Sequence, residues 1–242
     1  MKSQRKIVVN DIYPAIAGEG INAGHPVTLI RLFGSNIEDK LDPHPYATSA
    51  QTKGENARSL LIDDVLEEVN KLKGNKKHLL IAGGEPLLQQ DALIELLTRY
   101  ATWFNKKPYV EIETNGTIEP KAELDALVDK YNVGVRLANS TMHKDTRNTF
   151  DTRVKNASGK FFVDSKKASF KFYLENATEI KEVEEVQTIL QIPQHKIWLT
   201  FAPTNPIDVK QTAAPIAKLC LQKGYKFSPR LHVTVFGAKR GF

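Results

Sequence analysis

Short apolar segments alternate along the chain with amphipathic helical patterns, and this alternation predicts a parallel α/β sheet. Strands are predicted at Ile7–Tyr13, Val27–Phe33, His78–Ala82, Tyr109–Glu113, Val133–Leu137, Ser169–Leu174, Lys196–Phe201 and near Leu231–Phe236. Helices are predicted over about residues 61–72, Gln90–Phe104, Glu119–Tyr131, Thr178–Ile189 and Asp208–Lys223. Pro120 suits the first turn of one helix, and Gly224 suits the C-terminal cap of the last.

Two polar stretches interrupt this alternation. Ser35–Ser59 has no periodic face, and Asn139–Lys167 is irregular and rich in Thr, Asn, Lys and Asp. Long loops in compact domains are usually either functional or disordered. Because no repeat and no linker are visible, we predict one domain that spans residues 1–242.

The composition is that of an ordinary globular protein, with 41% hydrophobic and 26% charged residues. No apolar run approaches the ~18–20 residues of a membrane span, and Ile7-Val8-Val9 is too short for the core of a signal peptide. We therefore expect a cytoplasmic protein without membrane contact. The net charge of +6 leaves contact with nucleic acid open, but the lysines are spread along the chain and a solvated surface is favoured.

Cysteine usage restricts the chemistry further, because Cys220 is the only cysteine. One thiol excludes a disulfide framework, a cysteine-based zinc site and an iron–sulfur cluster held by three or four thiolates of this chain. The sequence also shows no Ser–His–Asp order, Walker loop or zinc-ligand spacing. Gly18-Glu19-Gly20 lacks the third glycine of the dinucleotide-binding motif.

Glycine-rich turns follow two predicted strands, at the edge where parallel sheets bind ligands. Gly83 and Gly84 can bring the backbone close to a ligand, although a tight strand-to-helix turn has the same sequence. Glu111 and Glu113 lie on one side of the next strand, where they could hold an amine or hydroxyl groups. Asn115-Gly116 is equally a plain turn signal, so a ligand site and a structural turn both stay open.

Two further segments offer polar groups. Gly18-Glu19-Gly20 is either a flexible connection between the first two strands or a loop that grips a small polar ligand. His232 is a candidate ligand or proton carrier, although its spacing alone favours a structural histidine.

Taken in order along nearly the whole chain, these motifs resemble the signatures of the 7-carboxy-7-deazaguanine synthases, which are radical S-adenosylmethionine enzymes of the queuosine pathway. The matching segments are Gly18-Glu19-Gly20, Gly24-His25-Pro26, Ile30-Arg31-Leu32-Phe33-Gly34, Gly83-Gly84-Glu85-Pro86-Leu87-Leu88, Glu113-Thr114-Asn115-Gly116-Thr117, Phe170-Lys171-Phe172, Cys220 with Gly224-Tyr225, Ser228-Pro229, Leu231-His232 and Lys239-Arg240-Gly241. The resemblance implies an α/β fold that forms an incomplete (β/α) barrel of the radical SAM type, and a homodimer.

The chain departs from this family at the family's defining feature. The three cysteines that hold the [4Fe–4S] cluster fall here on Ser35, Asp39 and Asp42. The Asp and Thr that follow the third cysteine in the family fall on Pro43 and His44, and the family's magnesium site involves this Thr. Cluster assembly needs soft thiolates, whereas Ser and Asp offer hard oxygen ligands that suit Mg²⁺, Mn²⁺ or Ca²⁺. We therefore expect no [4Fe–4S] cluster and no 5′-deoxyadenosyl radical, and a divalent metal at these positions is left open.

Two more family segments are altered. Ser-Pro-Lys appears here as Gly134-Val135-Arg136, and Pro-Gln-Leu-His-Lys appears as Pro229-Arg230-Leu231-His232-Val233. The retained motifs still imply a pocket. By resemblance, the candidates for substrate binding are Glu19, Arg31, Thr114 and His232. The candidates for binding S-adenosylmethionine, if it binds, are Gly83, Gly84, Glu85 and Glu113.

These observations lead to three hypotheses about function. The first is a cluster-less homologue of 7-carboxy-7-deazaguanine synthase that keeps a pocket for a pterin, purine or adenosyl ligand. The second is an active enzyme of 7-deazapurine metabolism that uses a divalent metal at Ser35, Asp39 and Asp42. The third is a non-catalytic module that contacts RNA or another protein through its basic surface.

Overall fold

The computed structural model describes residues 3–37, 39–41, 45–48, 57–140, 154, 158–202 and 206–237. The strands are β1 (Lys6–Ile16), β2 (Pro26–Leu32), β3 (Arg58–Leu61), β4 (His78–Gly83), β5 (Tyr109–Thr114), β6 (Lys130–Val135), β7 (Ala168–Leu174), β8 (Ile197–Phe201) and β9 (Lys226–Phe227). The helices are α1 (Pro45–Thr48), α2 (Ile62–Lys71), α3 (Gln90–Trp103), α4 (Ala122–Asp125), α5 (Ser158–Asp164), α6 (Ile180–Leu190), α7 (Pro206–Lys223) and α8 (Leu231–Phe236).

All nine strands form one sheet in the order β3-β1-β2-β4-β5-β6-β7-β8-β9. β1 pairs antiparallel with β2 and β3, and every pair from β2 to β9 is parallel. β3 and β9, the strands at the two ends of this order, do not pair with each other, so the sheet is not closed. The predicted α/β fold with an incomplete (β/α) barrel is confirmed.

The hydrophobic core lies between the sheet and its helices. On α2, Val65, Leu66 and Val69 are buried against it, as the helical periodicity predicted. The last turn of α7 ends at Gly224, whose φ of +74° is in the left-handed region and whose amide donates to the Cys220 carbonyl. The predicted C-terminal cap is therefore confirmed.

The strand predicted near Leu231–Phe236 is wrong, because this segment is helix α8. Its apolar and polar residues alternate as in a strand, but β9 already occupies the edge beside β8. Just before the helix, the Arg230 guanidinium donates to the carbonyls of Phe201 and Ala202 at the end of β8. The chain is therefore turned away from the sheet, and only Val233 of the helix is buried.

Other boundaries differ because tertiary pairing overrides local pattern. Part of the stretch predicted as a loop forms β3, an edge strand paired with β1 through polar and half-exposed residues that carry no alternating signal. The helix predicted at Glu119–Tyr131 is only the single turn α4, which begins after Pro120, and β6 starts at Lys130. Likewise, α5 lies within the stretch Asn139–Lys167 that was predicted to be irregular. Along the part of the chain that the structure describes, no helix is both long and apolar enough to cross a membrane.

Candidate functional site

A cleft opens on the inner side of the sheet, at the carboxyl ends of the parallel strands. Its volume is about 1100 Å³ when the solvent at its open mouth is included. Its lining brings together most of the residues predicted from sequence, namely Glu19, Arg31, Asp39, Gly83, Gly84, Glu113, Thr114 and His232. Leu29, Leu80, Leu137 and Tyr173 add apolar surface. A cleft that combines apolar surface with converging polar groups is typical of a small-molecule site.

Glu19 is the centre of a buried ionic cluster at this cleft. One of its oxygens, Oε2, accepts from Lys171 Nζ at 2.7 Å and from the Tyr173 hydroxyl at 2.7 Å. The other, Oε1, accepts from Arg230 Nε at 2.9 Å. Lys171 Nζ also donates to Glu113 Oε1 at 3.2 Å. We call Glu19, Lys171, Arg230 and Glu113 the floor cluster.

Burial and charge oppose each other in the floor cluster. Burial alone would raise the pKa of Glu19, but the Lys171 and Arg230 charges hold that pKa well below its usual value. Burial alone would likewise lower the pKa of Lys171, but Glu113 and Glu19 raise it well above its usual value. Lys171 and Arg230 side chains are each only 1% exposed, so both cations depend on these carboxylates.

Glu113 and His232 are two polar groups of the cleft lining that stay partly accessible to a ligand. The Glu113 side chain is 35% exposed, whereas that of Glu19 is 7% exposed. Burial lowers the pKa of His232, so its ring is neutral at neutral pH. A Cβ at Gly18 would overlap this ring, which explains the glycine there. The pair offers a carboxylate acceptor and an uncharged imidazole to a bound molecule.

Glu111 has a different position from the neighbouring Glu113, although alternation places both on the inner side of β5. Its carboxylate is bonded to His78 Nε2 at 3.0 Å, to Asn22 Nδ2 at 2.8 Å and to Asn132 Nδ2. It is buried and is not part of the cleft lining. Glu111 therefore has a structural role in the protein interior and is not a ligand-facing group of the cleft.

The Gly83-Gly84-Glu85 turn is shaped by backbone packing. Gly83 has a φ of +128°, and a Cβ there or at Gly84 would collide with the backbone of the β2 end, at Leu32 and Gly34 respectively. Both glycines still line the cleft. Glu85 lies behind them and accepts from the amides of Leu87 and Asn115.

Glu85 is fully buried, and Thr114 links it to the cleft wall. The Thr114 hydroxyl donates to Glu85 Oε1 at 2.8 Å. Burial raises the pKa of Glu85, and these hydrogen bonds oppose that effect only in part. Glu85 thus holds the turns after β4 and β5 together, and its role in cofactor binding stays a prediction.

Two of the three cysteine-replacing positions, Ser35 and Asp39, are engaged within the protein. Ser35 Oγ donates to the Ile37 carbonyl at 2.8 Å. Asp39 Oδ2 forms an ion pair with Arg136 Nε at 2.5 Å, and Asp39 Oδ1 accepts from the Leu41 amide at 2.9 Å. Asp42 lies outside the described residues. Within the described ranges, no group of three or more His, Cys, Asp or Glu side chains is arranged to hold a metal ion.

A [4Fe–4S] cluster does not fit the residues present. Cys220 lies on α7, outside the cleft lining, with its Sγ 3.6 Å from the Lys226 carbonyl oxygen. Burial raises the pKa of this thiol to about 11, which opposes the thiolate form that iron requires. One thiol in this position cannot replace the three that a cluster needs.

Sequence reasoning missed several residues of the cleft wall as site candidates. Lys171 was noticed only within a matching segment, and Arg136 and Arg230 only as departures from the family. Tyr173 carried no signal, yet its ring centroid lies 5.5 Å from the Arg136 guanidinium carbon and 5.7 Å from that of Arg230. Alternation from Lys171 along β7 is the one pattern that would have placed Tyr173 on the same side.

A family model and a solved structure are both similar to this chain. The Radical SAM superfamily model matches residues 43–159, a match that begins just after the three cysteine-replacing positions. A crystal structure of QueE from Escherichia coli superposes with a TM-score of 0.64 over 94% of this chain and 95% of that chain, at 17% identity. This similarity establishes a fold of the radical SAM type.

Curated proteins that are similar to this chain along most of its length share one description. A 7-carboxy-7-deazaguanine synthase from Pyrobaculum aerophilum is 29% identical over 100% of both chains. Synthases from Halobacterium salinarum and Rhodopirellula baltica are each 28% identical, covering 94% and 99% of this chain and 90% of each relative. The chain is a homologue of the 7-carboxy-7-deazaguanine synthases.

Proposed function

We propose that this chain is a cluster-less homologue of 7-carboxy-7-deazaguanine synthase that has lost radical SAM chemistry and keeps a pocket for a pterin, purine or adenosyl ligand. The observation that supports the loss most directly is the single cysteine, buried on α7 and absent from the cleft. The organised cleft, lined by eight of the residues predicted from sequence, supports a retained pocket.

The Asp39–Arg136 ion pair supports the same proposal. In the resemblance, Asp39 stands at a position that holds a cluster cysteine in the family. Here its carboxylate is satisfied by a guanidinium and a backbone amide, and the side chain is only 8% exposed. A divalent metal at the Asp39 carboxylate would have to displace the Arg136 guanidinium, which would then lose this counter-charge. The oxygen-ligand metal hypothesis is therefore the weaker one.

Anaerobic reconstitution with iron and sulfide tests the loss of the cluster. The wild-type chain is expected to retain no stoichiometric iron after gel filtration and to lack the visible absorbance of a [4Fe–4S] cluster. A matched variant with Ser35→Cys, Asp39→Cys and Asp42→Cys restores three thiolates and serves as the positive control. A stoichiometric cluster on the wild-type chain would overturn the proposal.

Isothermal titration calorimetry tests the pocket. Purified protein is titrated with carboxytetrahydropterin, guanine nucleosides and nucleotides, S-adenosylmethionine and 5′-methylthioadenosine. We expect saturable binding of at least one of them, and no binding of any would refute a retained pocket. We further expect a cytoplasmic homodimer, and the dimer is tested by gel filtration with light scattering.

A further inference from the structure

We propose that the cleft selects a ligand without net charge, a heteroaromatic base or its nucleoside, over phosphorylated, carboxylated or sulfonium-bearing analogues. This inference rests on the proposed function, since it assumes that the cleft binds a small molecule. It concerns which member of the pterin, purine and adenosyl classes binds, and it follows from how the charges of the cleft are paired.

The floor cluster is balanced by itself. Lys171 and Arg230 contribute two positive charges, and Glu19 and Glu113 contribute two negative ones. Each cation lies within 3.2 Å of a carboxylate oxygen of the cluster. The sum is zero, and three of the four side chains are almost fully buried.

The remaining charged groups of the cleft wall are balanced in pairs. Arg136 pairs with Asp39 at 2.5 Å, and Arg31 pairs with Asp11 at 3.7 Å. All four side chains are less than a quarter exposed. His232 contributes a neutral ring at neutral pH. Counted over the described residues, the lining of the cleft carries four positive and three negative charges. Asp11, which is not part of the lining but pairs with Arg31, supplies the fourth negative charge.

A balanced, partly buried site disfavours a ligand with net charge. An added phosphate or sulfonium would lose its hydration and would have to take a partner from an existing pair, leaving the other member of that pair uncompensated. An uncharged ligand loses far less hydration and leaves every pair intact. The preference for an uncharged ligand thus follows from the ion pairs of the cleft and does not depend on which heterocycle binds.

The accessible groups suit the edge and faces of a planar heterocycle. The Glu113 carboxylate accepts from ring N–H or amino groups, and the neutral His232 ring supplies one donor and one acceptor. Leu29, Leu80 and the Tyr173 ring provide apolar and aromatic surface for the faces. A base or nucleoside satisfies both demands without bringing charge.

Matched ligand pairs that differ only in charge-bearing groups test this directly by calorimetry. The pairs are 5′-methylthioadenosine against S-adenosylmethionine, guanosine against guanosine monophosphate, and pterin against 6-carboxypterin. In every pair that binds, the uncharged member is expected to bind about tenfold more tightly or better. Equal or tighter binding of the charged member overturns the inference while leaving a retained pocket intact. Binding of carboxytetrahydropterin alone, a charged ligand, likewise overturns the inference. If neither carboxytetrahydropterin nor any of the six compounds binds, the proposed function is refuted, and the inference with it.

A variant that unbalances the floor cluster gives the second arm. Glu113→Gln leaves one uncompensated positive charge, so the affinity ratio of guanosine monophosphate to guanosine is expected to rise about tenfold. Because both ligands share the base, a lost contact to the base cancels in this ratio. Glu184→Gln removes a surface carboxylate that pairs with Lys223 and serves as the matched control with an unchanged ratio. An unchanged ratio in Glu113→Gln, with a native circular dichroism spectrum, contradicts the inference.

Discussion

Replacing Glu19 by glutamine is expected to destabilise the protein strongly, because two buried cations lose their shared counter-charge. Breaking a buried ion pair by removing one partner costs about 3–5 kcal/mol. Lys171 keeps Glu113 at 3.2 Å, and Arg230 keeps the carbonyls of Phe201 and Ala202. The expected loss of unfolding free energy therefore lies near the lower end of this range, at about 3 kcal/mol. This is a large share of the ~5–15 kcal/mol that stabilises a typical domain.

Urea unfolding at neutral pH, followed by circular dichroism, measures this loss. The matched control is Glu68→Gln, which removes a surface carboxylate paired with Arg58 and is expected to cost no more than about 1 kcal/mol. If Glu19→Gln were no more destabilising than this control, the buried floor cluster would not have the energetic role that its geometry indicates.

The same comparison has a defined pH dependence. The pKa of Glu19 in the folded protein lies well below its ordinary value of 4.5, so the unfolded chain takes up a proton first as the pH falls. The stabilisation is fully present above about pH 4.5 and is lost as the pH falls toward the folded-state pKa. The difference between wild type and Glu19→Gln should shrink over this acidic window. A difference that stays constant as the pH falls would contradict the ionised, paired state of Glu19.

Three further variants or reactions test other parts of the site. Gly18→Ala is expected to lower the free energy of unfolding by about 1–3 kcal/mol, because the added Cβ overlaps the His232 ring. In the double variant that also carries His232→Ala, thermal unfolding should show most of this stability restored. Thr114→Val should cost about 1–3 kcal/mol in urea, since it leaves buried Glu85 without one donor, and a loss below about 0.5 kcal/mol would count against that network. Cys220 should resist a thiol reagent such as dithionitrobenzoate at neutral pH until the protein is unfolded, given its buried thiol with a pKa of about 11; rapid labelling of native protein would show that α7 packs differently.

Sequence reasoning predicted those parts of the fold that depend on local pattern. The periodicity of α2 and the glycine cap of α7 are set by neighbouring residues, and both are confirmed. Leu231–Phe236 was assigned wrongly because its alternating pattern is overridden by β9 at the sheet edge and by the contacts of Arg230. The exposed edge strand β3 was not predicted for a related reason, since its partner β1 lies some fifty residues away in sequence.

The sequence predicted where the candidate site lies, but not which charged side chains pair with each other in it. Glycine-rich turns after parallel strands indicated where ligand-facing residues would gather, and the cleft brings them together. The partners of Glu19 could not be inferred, because Lys171 lies 152 positions away and Arg230 lies 211 positions away. The Asp39–Arg136 ion pair was not predicted either, although both residues had been noticed separately as departures from the family.

The central claim is that homology to a radical SAM family persists here without its radical chemistry. The most direct measurement is the formation of 5′-deoxyadenosine from S-adenosylmethionine by anaerobically reconstituted, dithionite-reduced protein, quantified by mass spectrometry. A 7-carboxy-7-deazaguanine synthase that retains its three cysteines, reconstituted in parallel, serves as the positive control. The account predicts no product above a protein-free blank, whereas 5′-deoxyadenosine formed in at least stoichiometric amount by this chain would contradict it.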